Sequence, residues 1–379
     1  MAARYSIAFA IPTLDRGGPD RVFFELLRGL DRSQFSPHLI TSAPEGDYLR
    51  QLPSDVDVTV LPPRHARLDR YPILDLCRAL AKLKPTLVMS TLRMNLTMGL
   101  APYIPSKTRT VIRQANDVTA NFDEMIAGAA IKHRVTRFAL IAALHRVDAV
   151  VCQSVAMKRD VERVTGRKHN LFAISNPIDV ARANALIEPL AVHDRPRGSP
   201  ALISVGRLMP QKGYDIALPA LAQIRIQYPD AHLTIVGDGP DKAALVAQCE
   251  QLGITSAVTF AGYRKDVLSL VAASDLFVLA SRYEGFPNAA LEAIAMGIPV
   301  VLTDCPGANV EVVRPGRNGR LAWAITADAV AAALGQAIAE RGNYHKQEIV
   351  ADTRERYGAA IIVERYQQMF TKVIQGSPR

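Results

Sequence analysis

Ser281-Arg282-Tyr283-Glu284-Gly285-Phe286-Pro287-Asn288-Ala289-Ala290-Leu291-Glu292-Ala293-Ile294-Ala295-Met296-Gly297-Ile298-Pro299-Val300-Val301 reads as a polar loop, a short helix and an apolar strand. Pro287 suits the first helical turn and Gly297 the C-terminal cap, with the strand following at once. Glu284 lies in the loop, eight positions before Glu292 in the second helical turn. Both can therefore face the helix N-terminus, where unpaired backbone N–H groups attract an anion. The same spacing also fits two acids that only offset the helix dipole, and the rest of the chain decides between these readings.

Outward from that stretch, strand-like runs alternate with amphipathic helical ones, the pattern of parallel sheets covered by helices. The first half offers strands near Ile7 to Ile11, His38 to Thr41, Val56 to Val60, Leu87 to Ser90, Thr110 to Arg113 and Ala149 to Cys152. Helical stretches such as Arg21 to Leu30 and Ile73 to Leu83 lie between them. A second series runs through Leu202 to Val205, Leu233 to Val236, Val258 to Phe260, Leu276 to Leu279 and Val300 to Thr303. Between the series, 183–200 holds Pro189, Pro196, Gly198, Ser199 and Pro200, a break in periodicity that suits a boundary. The expectation is an α/β protein of two Rossmann-like domains, residues 1–182 and 201–353, joined by a linker at 183–200. Their strand ends are expected to face one another across a cleft. A long final helix, within 354–379 and running from about Arg354 to Ile374, is expected to cross back to the first domain.

A length of 379 residues suits two domains, and 49% hydrophobic with 21% charged residues is a globular composition. Cys77, Cys152, Cys249 and Cys305 lie far apart and form no local metal or redox pair, which points to a reducing compartment. The apolar run Ile7 to Ile11 is soon followed by Asp15, Arg16 and two glycines, so it reads as a first strand and not as a signal sequence. No apolar stretch is long enough to span a bilayer. A cytoplasmic protein is expected, with peripheral contact at the inner face of the cell membrane left open. The net charge of +9 favours a polyanionic partner: nucleic acid, anionic lipid or a phosphorylated substrate.

Two glycine-bearing loops add chemistry. After the first strand, Gly17-Gly18 opens a helix, and paired glycines let the backbone approach a phosphate or a sugar. No Gly-x-Gly-x-x-Gly or Walker A spacing is present, which disfavours a nicotinamide enzyme or a P-loop ATPase. After the first strand of the second series comes Gly206-Arg207-Leu208-Met209-Pro210-Gln211-Lys212-Gly213. Arg207 and Lys212 leave one strand end and can converge on one diphosphate; a plain pair of surface cations is the alternative.

This last motif, Gly237-Asp238-Gly239-Pro240 and the Glu-x7-Glu stretch together resemble the retaining glycosyltransferases of family 4, which have the two-domain GT-B fold. The resemblance covers nearly the whole chain. It takes in Gly17-Gly18 with Arg21-Val22, Asp148-Ala149-Val150-Val151 with Ser154, and Asn176-Pro177-Ile178-Asp179. It implies a nucleotide-sugar donor, UDP-linked first and GDP-linked second, and no prosthetic group. Arg207 and Lys212 would hold the diphosphate, Glu292 the ribose hydroxyls, and Glu284 would lie beside the transferred sugar. Glu284, Arg207 and Lys212 are thus the catalytic candidates. Backbone groups of Gly285, Phe286, Pro287, Asn288 and Ala289 would meet sugar and phosphate. Gly262 and Tyr263 would border the base, and Gly17 and Gly18 would close over the phosphates.

The implied activity is transfer of a hexose or N-acetylhexosamine to a glycan or lipid-linked acceptor in cell-surface polysaccharide biosynthesis. No metal is called for, since protein cations face the departing diphosphate. Asp55-Val56-Asp57 matches an Asp-x-Asp metal motif only in spacing and reads as solvated surface. One departure concerns the acceptor side. Where many family members carry a histidine after the fifth strand, this chain has Val111-Ile112-Arg113-Gln114-Ala115-Asn116-Asp117, leaving Arg113, Asn116 and Asp117 as candidates. Phe122 to Arg146 mixes basic and apolar residues and reads either as a helix lying on an anionic membrane or as a packed helix with a basic face. A non-catalytic nucleotide-sugar sensor and a nucleic-acid-binding protein are the readings from other classes. No zinc-finger, RNP-like or helix-turn-helix signal supports the latter.

Overall fold

A computed structural model describes residues 4–15, 17–62, 72–115, 130–190 and 196–376, with side chains of 130–135 left aside. The chain forms two compact units, Met1–Pro177 with Ala359–Arg379, and Ile178–Gly358.

The first unit is built on β1 (Tyr5–Ile11), β2 (Phe35–Thr41), β3 (Asp57–Val60), β4 (Leu87–Thr91), β5 (Arg109–Gln114), β6 (Ala149–Cys152) and β7 (Leu171–Ala173). Their order is β3-β2-β1-β4-β5-β6-β7, and every pair is parallel. The central strand β1 is apolar on both sides because both faces of a parallel sheet are covered. Ile7, Phe9 and Ile11 enter one core while Ala8 and Ala10 enter the other. The first of these cores is completed from the far end of the chain. Helix Ala359–Gln375 contributes Ile362, Val363, Tyr366, Met369, Phe370 and Val373, one stripe at helical spacing. Phe370 meets the rings of Phe9 and Phe35 edge-on, at 6.1 and 6.3 Å between centroids.

The second unit contains β8 (Ala201–Val205), β9 (His232–Val236), β10 (Val258–Gly262), β11 (Leu276–Leu279), β12 (Val300–Thr303) and β13 (Gly319–Ala322). The order β10-β9-β8-β11-β12-β13 is again parallel throughout. Strand order reverses between β8 and β11, and a doubly wound sheet opens its ligand crevice at the carboxyl ends of such a pair.

Two expectations are corrected. Residues 183–200 are not the whole of the link, because the chain passes between units at Pro177/Ile178 and again at Gly358/Ala359. Ile178 and Val180 belong to a core of the second unit, and Asn184 donates to the Ala295 carbonyl at 3.2 Å, so burial outweighs the proline-rich composition nearby. The final helix is also two helices, Lys346–Tyr357 and Ala359–Gln375. Gly358, at φ −53° and ψ 137°, leaves helical geometry and bridges to Ile178, whose N–H donates to the Tyr357 carbonyl at 2.8 Å. All four cysteines are buried and free. Among the described residues no helix is long and apolar enough to cross a membrane.

Candidate active site

The reversal point of the second sheet is where the two sequence motifs meet. The loop after β8 carries Gly206 to Gly213 and the loop after β11 carries Ser281 to Pro287. They are braced against each other: Arg282 N–H donates to the Gln211 carbonyl at 2.8 Å, and Gln211 Nε2 donates to the Tyr283 carbonyl at 3.1 Å. Arg282 also ion-pairs with Asp215 at 2.6 Å. Gly213, at φ +63°, sits where a Cβ would fall 1.9 Å from the Ala280 carbonyl oxygen. Only glycine lets the two loops approach this closely.

Within this frame Lys212 Nζ lies 2.6 Å from Glu284 Oε1. Ser281 Oγ donates to the same oxygen at 2.7 Å. Glu284 is only 4% exposed, and a carboxylate at that depth needs such partners. Its N–H donates to the Pro306 carbonyl at 2.9 Å, and Gly307 at φ +126° packs against its carbonyl. Thr303, at the end of β12, donates to the Ser281 carbonyl at 2.6 Å. Cys305 lies in the same wall, where burial first and the Glu284 charge second push its thiol up to about 12. It stays a neutral thiol at physiological pH.

Arg207 is exposed and meets no carboxylate among the described residues. The neighbouring loops are packed glycine on carbonyl. A Cβ on Gly237 would fall 2.0 Å from the Gly206 carbonyl oxygen and one on Gly239 2.2 Å from that of Leu208, which fixes the backbone beside Arg207. Gly262, at φ +66°, accepts from Gly237 N–H at 2.8 Å, and Tyr263 after it is exposed.

The opening stretch forms helix Asn288–Ala295, with Pro287 at the N-cap and Gly297, at φ +77°, just past the C-cap. Glu292 is half-buried in its second turn. Asn288 N–H is taken by the Phe286 carbonyl at 2.9 Å and Pro287 has none. Of the expected backbone donors, Gly285, Phe286 and Ala289 therefore remain without a backbone acceptor among the described residues. Gly285 is buried beside Glu284.

In the first unit the outcome is different. Gly18 opens helix Gly18–Gly29, while Gly17 N–H donates to Asp20 Oδ2 at 2.9 Å instead of pointing outward. Asp20 is buried, and that burial pushes its carboxyl above the usual carboxylate range. Asn116 and Asp117 lie outside the described residues. The acceptor-side expectation for Arg113 is corrected. This side chain is fully buried, donating Nε to Tyr366 Oη at 3.2 Å and Nη2 to Asn176 Oδ1. Its place at the end of β5, under the returning helix, makes it a cation of the core. Tyr366→Phe leaves that Nε without its acceptor, so the free energy of unfolding is expected to fall by about 1 to 3 kcal/mol in urea titrations. An unchanged midpoint and slope would remove Tyr366 as its partner.

Asp55, of the Asp-x-Asp spacing, ion-pairs with Arg32 at 2.6 Å. In Phe122–Arg146, helix Ala130–Arg146 buries Ala143 and Leu144, exposes Phe138, and directs Arg146 to the carbonyls of Gly99 and Ala101. Residues 116–129 lie outside the described residues.

Sequence reading missed Ser281, Thr303 and Gly307 as parts of the site. The one available signal was a serine three residues before the loop glutamate, immediately past a strand.

Comparison with known proteins bears on this geometry. Residues 16–182 match the family Glycosyltransferase Family 4, and residues 190–356 match Glycosyl transferases group 1. The chain belongs to the family 4-like glycosyltransferases. This glycosyltransferase is 32% identical over 193 residues to the lipopolysaccharide core biosynthesis glycosyltransferase LpsE of Rhizobium meliloti, covering 51% of this chain and 54% of the relative. The match spans about half the length of such curated relatives. HepE of Anabaena, in a crystal structure with UDP-glucose, aligns over 97% of this chain and 99% of its own at a TM-score of 0.76 and 20% identity. Sucrose-phosphate synthase of Thermosynechococcus elongatus aligns over 99% and 100% at a TM-score of 0.77 and 18% identity. Those structural likenesses concern the fold: this glycosyltransferase has the two parallel sheets of GT-B enzymes.

Proposed function

We propose that this glycosyltransferase is a retaining, metal-independent hexosyltransferase. Its donor is a nucleotide sugar, UDP-linked before GDP-linked, and its acceptor a glycan or lipid-linked glycan in cell-surface polysaccharide biosynthesis. The observation that carries the reading is the contact of Lys212 with Glu284 at the reversal point of the second sheet, with exposed Arg207 on the same loop. Breaking a sugar–phosphate bond builds positive charge on the ring and negative charge on the departing diphosphate, so fixed cations there lower the barrier. Lys212 and Arg207 take the diphosphate, the N–H groups of Phe286 and Ala289 add to them, and Glu284 is left to orient the sugar. Glu292 holds the ribose, and exposed Tyr263 borders the base. The UDP-glucose complex of HepE and the biosynthetic role in the name of LpsE support the choice of donor and of pathway class.

Incubation with a panel of UDP- and GDP-sugars, reading nucleotide release, tests this. Slow release from one UDP-sugar is expected, unchanged by EDTA. Glu292→Ala is expected to raise KM, and Glu284→Ala to lower kcat. Equal defects in the two variants would sink the division of roles. Tight binding without release, even with acceptor extracts, would make the protein a sensor.

The membrane side of the proposal rests on Phe138, exposed beside half-buried Arg137 on helix Ala130–Arg146. Co-sedimentation with anionic vesicles is expected to exceed that with neutral ones, each basic residue near the surface being worth roughly 1 kcal/mol. Equal recovery from both would remove the membrane.

A further inference from the structure

We propose that Ser281 is the positioning residue of Glu284, and the one that keeps hold of the carboxylate once a diphosphate has drawn Lys212 away. The inference rests on the site reading given above. Lys212 Nζ and Ser281 Oγ reach the same oxygen, Oε1, at 2.6 and 2.7 Å. Oε2 accepts no hydrogen bond among the described residues, so it is the oxygen left for a sugar hydroxyl. The two donors differ in what else they can do. A lysine ammonium is a mobile point charge on a flexible stem, and a diphosphate competes for it directly. Ser281 is fully buried, and its short side chain has one torsion to set the hydroxyl oxygen.

Ser281 is itself fixed from the next strand. Its carbonyl accepts from Thr303 Oγ1 at 2.6 Å, and both residues are fully buried. The series Thr303, Ser281, Glu284 thus runs from the end of β12 to the reacting position without involving any group that binds phosphate. In the unliganded protein the hydroxyl and the ammonium share the carboxylate. In the donor complex the hydroxyl is the side-chain donor that stays. A carboxylate released from both can turn about its side-chain torsions, and a displacement of about 1 Å at a reacting centre lowers rates about 100-fold.

Steady-state kinetics of Ser281→Ala and Ser281→Thr, with UDP affinity measured separately by calorimetry, test the assignment. For Ser281→Ala, kcat is expected to fall at least about 10-fold while the UDP dissociation constant stays within about threefold. Ser281→Thr, which keeps the hydroxyl, is expected to recover most of kcat. Melting temperatures of both variants accompany the kinetics. A Ser281→Ala protein with wild-type kcat overturns the proposal, as does one whose UDP affinity falls in step with kcat, since that would mean general loosening of the loop. A threonine variant that folds as well as wild type yet stays as slow as the alanine variant also overturns it. If the wild-type protein neither binds UDP nor releases it from any donor, the glycosyl-transfer reading fails first and this inference fails with it. Normal turnover in wild type with normal turnover in Ser281→Ala defeats only the role of Ser281.

Discussion

Lys212→Ala lowers turnover about 100-fold or more. The figure follows from the proposed role of Lys212: losing one charged donor at a departing diphosphate raises the barrier by about 2.7 to 4 kcal/mol. Here the same change also strands an acid. Glu284 is 4% exposed and would retain only the Ser281 hydroxyl, and a buried ion pair that loses one member is typically destabilised by about 3 to 5 kcal/mol. Lys212 is itself 20% exposed, so solvent moderates that loss and the lower end applies. Rate and stability therefore fall together, and a second variant separates them. Lys212→Ala with Glu284→Gln removes the buried charge, so the melting temperature is expected to recover while turnover does not. The measurements are single-turnover rates and thermal unfolding of both proteins. Full turnover in Lys212→Ala would exclude a phosphate role for this residue, and failure of the double variant to regain stability would exclude the stranded acid.

Gly307→Ala abolishes most of the activity without touching a charged group. A methyl group at this position would begin 1.6 Å from the Glu284 carbonyl oxygen, far inside any real contact, and the backbone φ of +126° is one that only glycine adopts readily. One of the two loops must move. The Pro306 carbonyl, which receives the Glu284 N–H at 2.9 Å, is the neighbouring group, so the displacement reaches the Glu284 backbone directly. A shift of about 1 Å there is worth about 100-fold in rate, and turnover should drop by at least that much. Gly342→Ala is the matched control, because a Cβ there meets nothing within 4 Å and its φ is not positive. Comparable turnover in both variants would show that the Glu284 loop tolerates displacement.

These two residues also mark how much of the site was legible in the chain. Lys212 stood out in the sequence as a phosphate-binding candidate because it lies between glycines just past a strand end, although a surface cation would read the same way. Its contact with Glu284 could not, since the residues are 72 positions apart and meet only through the order of β8 and β11. Gly307 sits in a loop after β12 that carries no motif, and its need for glycine arises from the Glu284 carbonyl in the loop after β11. The long apolar strands were readable for the opposite reason: a strand buried on both faces announces itself in its own residues. The edge strands β7, Leu-Phe-Ala, and β13, Gly-Arg-Leu-Ala, are short and only partly buried, and periodicity has little to register there. Arg113 misled because an arginine at a strand end resembles a ligand group, whereas its acceptors, Asn176 and Tyr366, come from distant parts of the chain. Gly358 hid inside a polar helical pattern, where its break depends on pairing with Ile178.

The helix Ala359–Gln375 has a consequence for the birth of the molecule. Strands β1 to β7 leave the ribosome before the second unit, but one of the two cores flanking their sheet lacks Tyr366, Phe370 and their neighbours until helix Ala359–Gln375 emerges. The second unit, Ile178–Gly358, is continuous in the chain and can close its cores as soon as it is out. The usual order, in which the N-terminal domain finishes first during synthesis, is thus inverted. The nascent first unit waits with Phe9 and Phe35 partly uncovered, and it is completed only after the whole of the second unit has been made.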